Sequence, residues 1–298
     1  MRVTTNTLTD TMVRQIQELG NRQARLQTQV ATGQRIFQPE DDAPAMGRVL
    51  SLESEQRAIA QFERNVDRAL ELSQASFGGL QQLKKISDRA SEIATLGTGS
   101  FNADSNAAYA SEIDQLLEQT LQFANTRFRN DYVFAGTAVD APPFVATRDV
   151  AGKITAATFA GNTERAAVQL SESASIQPGT DAPTNAGIGD FLNRLVALRD
   201  ALAANDSVAL GTAQVDLIDS EDILVSSLAG HGGVQTRIES NRAQLADRAQ
   251  SLEQLVSAEA DVDLPTAIVR LNQSQTAYQA ALQSAASIMR LSLLDYIQ

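Results

Sequence analysis

The 298-residue chain has no cysteine and no tryptophan, and its single histidine is His231. These absences exclude a disulfide framework, a zinc ribbon, an iron–sulfur cluster, a thiol nucleophile and any site built on two histidines. Aromatic residues make up 5% of the chain against 43% hydrophobic residues. The apolar content is therefore mostly Ala, Leu, Val and Ile, which suits helix seams better than barrels or sandwiches. Lysine is confined to Lys84, Lys85 and Lys153, none of them in a Gly-x-x-x-x-Gly-Lys-Ser/Thr context, so a P-loop is excluded. Met1 leads into the polar run Arg2-Val3-Thr4-Thr5-Asn6-Thr7 rather than into an apolar stretch, and a cleaved secretory signal is not expected. The uncharged stretch between Arg270 and Arg290 is as long as a membrane span. Its Asn272, Gln273, Ser274, Gln275, Gln279, Gln283 and Ser284 make it too polar to be one.

Positive charge is scarce as well. Thirty-six acidic residues against 24 basic ones give a net charge of −12, and the global field opposes nucleic acid and anionic membrane as partners. Residues 1–38 carry +3, residues 264–298 carry +1, and the middle of the chain holds −16. This distribution reads as an acidic, solvated body with two charge-poor ends suited to burial.

What is present is heptad periodicity. Met12, Ile16, Leu19, Gln23, Leu26 and Val30 step by four and three and predict a helix over 10–31, ended by Gly33. Phe37 to Pro44, with two prolines and Glu40-Asp41-Asp42, predicts a loop. From about Ala45 a second helix carries Val49, Leu52, Ile59, Val66, Leu70 and Phe77. Its seam shifts at Gly78-Gly79, as in a long helix whose partner changes or which bends at glycines, and Gly97-Thr98-Gly99-Ser100 ends it. Tyr109, Ile113, Leu116 and Phe123 mark a third helix with Asp104 or Ser105 as its expected cap. Residues 131–187 turn rich in Gly, Pro, Thr and Ser around short β-prone pieces, and a small β-rich insertion is assigned there. Helical periodicity resumes at Phe191 and again from Val208 to Leu228. Gly230-His231-Gly232-Gly233 is expected to break it before Val234, Ile238, Leu245 and Leu252. A joint at Asp261-Val262-Asp263-Leu264-Pro265 precedes a last helix carrying Ile268, Leu271, Gln275, Tyr278, Leu282, Ala285 and Met289.

The expected fold is mainly α with a β-rich insertion, a long antiparallel helical bundle or coiled coil made from the N- and C-terminal regions. Three parts are expected: terminal helices over 1–38 and 264–298, a helical bundle over 39–130 and 188–263, and the outer insertion over 131–187. A lone pair of terminal helices with so polar a seam is marginal, so these ends are expected to order only when neighbouring copies add surface.

Candidate chemistry is sparse. His231 in its glycine-rich setting reads as a turn residue before it reads as a general base, since no second histidine and no Gly-x-Ser-x-Gly elbow accompanies it. Glu40, Asp41 and Asp42 read as caps of the following helix before they read as a metal site. Asp261 and Asp263 lack the glycine and further ligands of an EF-hand. Gly97-Thr98-Gly99-Ser100 follows a helix, where a phosphate cradle would need a strand. No enzyme, metal or cofactor is expected. The seam residues expected to carry assembly are Ile16, Leu19, Leu26 and Val30 with Ile268, Leu271, Tyr278, Leu282 and Met289.

Several segments bear a family likeness. Arg2-Val3-Thr4, Ala31-Thr32-Gly33-Gln34-Arg35-Ile36 and Pro39-Glu40-Asp41-Asp42-Ala43-Pro44-Ala45 resemble the N-terminal region shared by flagellins and the flagellar hook–filament junction proteins. Asp131-Tyr132-Val133-Phe134-Ala135-Gly136-Thr137 with Pro143-Phe144, Phe159-Ala160-Gly161-Asn162 with Arg165, and the tail Leu291-Ser292-Leu293-Leu294-Asp295-Tyr296 are similar to the junction branch. Asn130-Asp131 stands where that branch more often has a glycine.

The resemblance implies a structural flagellar protein serving motility. Such a protein is secreted unfolded through the type III export apparatus without a cleaved signal and sits extracellularly at the hook–filament junction. It further implies a helical layer of self-associated subunits, flagellin and the first junction protein (hook-associated protein 1) as partners, and an export chaperone. A filament flagellin is the nearest alternative, and a helical signalling module a more distant one.

Overall fold

The computed structural model describes residues 2–99 and 102–297, with side chains described over 10–99 and 102–287. The chain is mainly α. Six helices, α1 (Arg2–Thr32), α2 (Ala43–Gly99), α3 (Ala103–Ala124), α4 (Ala182–Ala204), α5 (Ser207–Ala260) and α6 (Leu264–Ile297), frame six short strands between α3 and α4. These are β1 (Arg127–Phe128), β2 (Asp131–Tyr132), β3 (Phe144–Arg148), β4 (Ile154–Phe159), β5 (Val168–Gln169) and β6 (Ser175–Ile176), paired as three antiparallel hairpins, β1–β2, β3–β4 and β5–β6. The chain divides into two compact units, one formed by Met1–Ala58 with Arg248–Gln298 and the other by Ile59–Asp247.

In the unit 59–247, Leu80, Leu83 and Ile93 of α2, Ile113 and Leu117 of α3, and Ile188, Phe191, Leu192 and Leu195 of α4 lose all solvent contact. The β segment joins this core through Phe134, Phe144 and Ile154. Phe144 packs its ring 5.3 Å from that of Phe159, and the Asn125 amide holds its backbone, accepting from its N–H (3.0 Å) and donating to its carbonyl (2.9 Å).

One open alternative is settled in part and two local expectations are corrected. Helix α2 runs unbroken through Gly78-Gly79. Gly79 seats the Phe134 ring: a Cβ there would fall 2.7 Å from the ring's Cζ, so the small residue answers a packing need and the helix need not bend. Helix α5 likewise runs unbroken through Gly230-His231-Gly232-Gly233. His231 is a buried helix residue whose Nδ1 lies 3.5 Å from Ser73 Oγ of α2, not a turn residue. Each glycine costs about 1 kcal/mol relative to alanine inside a helix, and packing along the 54-residue helix overrides that cost. The cap of α3 is Asn102, which accepts from the Asp104 N–H at 3.0 Å, in place of the expected Asp104 or Ser105.

The two motifs at 131–137 and 159–162 interlock. Thr137 N–H donates to Asn162 Oδ1 (2.7 Å), Asn162 Nδ2 donates to Thr137 Oγ1 (2.6 Å), and Asn162 N–H donates to the Ala135 carbonyl (3.1 Å). Gly136, at φ 70°, sits inside this lock, where a Cβ would collide with Asn162 Oδ1 at 2.2 Å.

Candidate assembly interface

In the unit formed by both chain ends, α1 and α6 pair antiparallel. The end of α1 meets the start of α6 through a short bridge: Arg35 N–H donates to the Ala260 carbonyl (2.6 Å) and Val262 N–H to the Gly33 carbonyl (2.8 Å). Farther along the pair, Gly20 lies against the Tyr278 ring. Gly33 closes α1 in the left-handed conformation, φ 75°, that glycine adopts without strain.

The loop between α1 and α2 is held by carboxylates. Asp41 Oδ2 accepts from the N–H groups of Phe37 (3.1 Å) and Gln38 (3.0 Å), and Asp42 Oδ1 caps α2 at Ala45 N–H (3.1 Å). Arg35 pairs with Asp42 (3.3 Å) and donates to the Glu259 carbonyl (2.8 Å), while Arg48 forks onto both oxygens of Glu259 (3.0 and 2.9 Å). The hydrogen bonds from Gln38 and Phe37 hold the Asp41 carboxyl below its ordinary value. Those from Ala45 and Arg48 do the same for Asp42 and Glu259 respectively. The acidic loop thus acts as a clasp joining α1, α2 and the end of α5. Asp263 plays the matching part at α6, accepting from Thr266 Oγ1 at 2.6 Å, and Asp261 accepts from Ser257 Oγ. Among the described residues no three Asp, Glu or His side chains converge as a metal site would require.

The α1 side of the seam is Ile16, Leu19 and Val30, half-buried, with Leu26 buried. On α6 the inward line is Ala267, Leu271, Ser274, Tyr278, Ala281 and Ala285, a four-three repeat built mostly of small residues. Leu271 and Tyr278 of the expected seam lie on it. Ile268 and Leu282 are turned out to solvent, 46% and 43% exposed, and the side chain of Met289 lies outside the described residues. The sequence reading missed Ala267, Ser274 and Ala281 because hydrophobicity favoured their larger neighbours. The equally regular small-residue repeat one position away was the available signal, since small side chains let helices approach closely. Val13, Leu264 and Val269 are exposed on the same helix pair, and Phe37, Leu50 and Leu255 elsewhere in this unit.

A second exposed apolar line lies on α5 in the other unit. Val208, Val215, Ile218 and Val225, at intervals of seven, three and seven, are 79%, 60%, 53% and 47% exposed. Soluble monomers seldom leave ordered apolar stripes uncovered. The remaining chemistry-bearing candidate, His231, borders a cavity of about 520 Å³ with Asp181 and Thr184. Burial pushes its imidazole below the ordinary value, which favours the neutral ring, and Ser73 is the polar group it meets.

Mainly α, with paired ends, carboxylate-clasped elbows and uncovered apolar lines, the chain has a flagellin-like fold. Residues 3–139 match the bacterial flagellin N-terminal helical region. Over most of its length it is similar to flagellar hook-associated protein 3 of Escherichia coli (strain K12), at 26% identity over 294 residues covering 90% of each chain. It is also similar to a flagellin from Halalkalibacterium halodurans, 23% identical and covering 88% of this chain and 86% of that one. Its fold is shared by a flagellar hook-associated protein from Vibrio parahaemolyticus, with a TM-score of 0.66 and 17% identity, covering 74% of this chain and all of the other.

Proposed function

We propose that this chain is a structural adaptor of the bacterial flagellum. It would form the layer at the hook–filament junction that joins the first junction protein, hook-associated protein 1, to flagellin, and it would catalyse no reaction. The observation that carries this reading is the outward apolar line on the terminal helices, Ile268 and Leu282 above all, which the chain's own fold leaves uncovered. Copies related by a rotation that does not close bury such lines in successive layers. The acidic middle suits a solvated exterior. Export without a cleaved signal and a chaperone on the C-terminal helix belong to the same proposal, as does ordering of α1 and α6 only on assembly.

The test is deletion of the gene in its host, with microscopy of the flagella and detection of flagellin in the medium. Bare hooks with flagellin spilled into the medium, restored by the wild-type chain, are the expected result. Bare hooks with a clean medium would favour a filament flagellin, the reading that the Halalkalibacterium likeness supports. Normal filaments would overturn both. Hydrogen exchange on the dilute monomer tests the ordering proposal: fast exchange throughout 10–32 and 264–287 is expected, and strong protection there contradicts it.

A further inference from the structure

Within the unit 59–247 a second cavity, of about 420 Å³, opens between α2, the β1–β2 hairpin and the segment 165–180. Its apolar lining includes Leu72 and Val139, and three guanidinium groups border it, Arg68, Arg129 and Arg165, against the single carboxylate of Asp131. Arg129 is engaged by Glu71 at 2.7 Å. Among the described residues, no carboxylate lies within ion-pair distance of Arg68 or Arg165. In a chain with 36 acids to 24 bases, two arginines without a direct ion pair at one cavity are free to engage an anion, Asp181 acting on Arg165 only at longer range.

The walls are fixed before any ligand arrives. Asn65 Nδ2 donates to the Gln169 carbonyl at 2.9 Å, tying α2 to the segment that carries Arg165, and the Asn162 lock sets the path of Gly136. Pre-formed cavities of roughly 300–1,000 Å³ with an apolar lining and a few placed charges are the usual form of small-molecule sites, and rigid walls cut the cost of binding.

We propose that this cavity binds a small amphipathic anion, a carboxylate on a short hydrocarbon body. Arg68 and Arg165 take the carboxylate by charge-assisted hydrogen bonds, and the apolar lining takes the hydrocarbon. The inference is independent of the flagellar role and stands or falls without it.

The test is calorimetric titration of the full chain with octanoate, alongside acetate, which has the charge alone, and octan-1-ol, which has the hydrocarbon alone. Saturable one-to-one binding of octanoate is expected, weakened at least about tenfold in Arg68→Gln/Arg165→Gln and abolished in Ala167→Trp, which fills the cavity while keeping both arginines. Circular dichroism melts matching wild type verify that these surface variants fold. Absence of saturable octanoate binding, equal binding of octan-1-ol, or binding unchanged in the double arginine variant overturns the proposal.

Discussion

The two compact units bury apolar surface in different ways. The unit 59–247 holds ten Leu, Ile and Phe side chains of α2, α3 and α4 at zero exposure, and the β segment closes over them with Phe134 and Phe144. The unit made of both chain ends buries fewer groups, half of them alanines (Ala45, Ala260, Ala267 and Ala285) beside Ile36, Val49 and Leu252, with Leu26 still 9% exposed. Yet it exposes eight large hydrophobic residues against seven in the other unit, which has about twice as many described side chains. One unit closes a large apolar core of its own. The other keeps in reserve apolar surface that a single chain does not use.

Truncation should separate the two most strongly. Leu117→Ala and Phe134→Ala empty fully buried sites and are expected to cost about 3–5 kcal/mol each in urea unfolding, in line with core deletions elsewhere. Leu26→Ala, in the helix pair proposed to order only on assembly, should cost the monomer less than about 0.5 kcal/mol. Equal losses would erase the contrast. Ile268→Asp/Leu282→Asp should leave monomer stability within about 0.5 kcal/mol of wild type while failing to restore filaments in the deletion host. A large loss in the monomer would show those side chains to be buried after all.

Acid should weaken the units in sequence. His231 has a folded-state value pushed down from 6.5 by burial. Its contribution to the unit 59–247 is therefore complete above about 6.5 and is lost as pH falls below that, because the unfolded chain then binds the extra proton. The clasp carboxylates Asp41, Asp42 and Glu259 are depressed from 3.8, 3.8 and 4.5. Their contribution to the other unit is complete above those values and disappears only as pH falls through them. Glu118, held down by Arg148, adds a late loss to the first unit. Hydrogen exchange followed from pH 7 to 5 should show protection falling around α2 and α5 near Ser73 and His231 while the Arg35 and Val262 amides hold. His231→Leu should flatten that window, and a profile unchanged by the substitution would remove the histidine from the account.

The smallest effect concerns the β1–β2 hairpin. Arg129 occupies the left-handed region at φ 57°, next to the position where the junction branch more often has glycine. Arg129→Gly should relieve strain worth about 1 kcal/mol and forfeit the exposed pair with Glu71, worth at most about the same. A net change within about 0.5 kcal/mol in thermal unfolding is expected, and a loss above 2 kcal/mol would mean that the Glu71 pair anchors the hairpin.

Much of this architecture was legible in the residues. The three-four repeat marked helix in every long helical segment, although it split α5 in two at Gly230-His231-Gly232-Gly233, since an amphipathic stripe must face a neighbour whatever that neighbour is. Asp42 announced the start of α2, where its carboxylate takes the Ala45 N–H, and Asp263 marked the start of α6, where it takes the Thr266 hydroxyl. The β segment was marked by composition, and the paired motifs at 131–137 and 159–162 were visible before their hydrogen bonds were.

What the sequence by itself determined was helix, loop and the apolar economy of the ends, all properties of local periodicity and charge. Tertiary structure decided what local propensity cannot express. Glycine at Gly79 makes room for Phe134 inside an uninterrupted helix. Glycines flanking His231 stay helical because packing along α5 overrides their conformational entropy. A one-residue rotation of α6 turns Ala267 and Ser274 inward and Ile268 and Leu282 outward, because the close approach of two helices selects for small side chains, a requirement that exists only once the partner helix is in place.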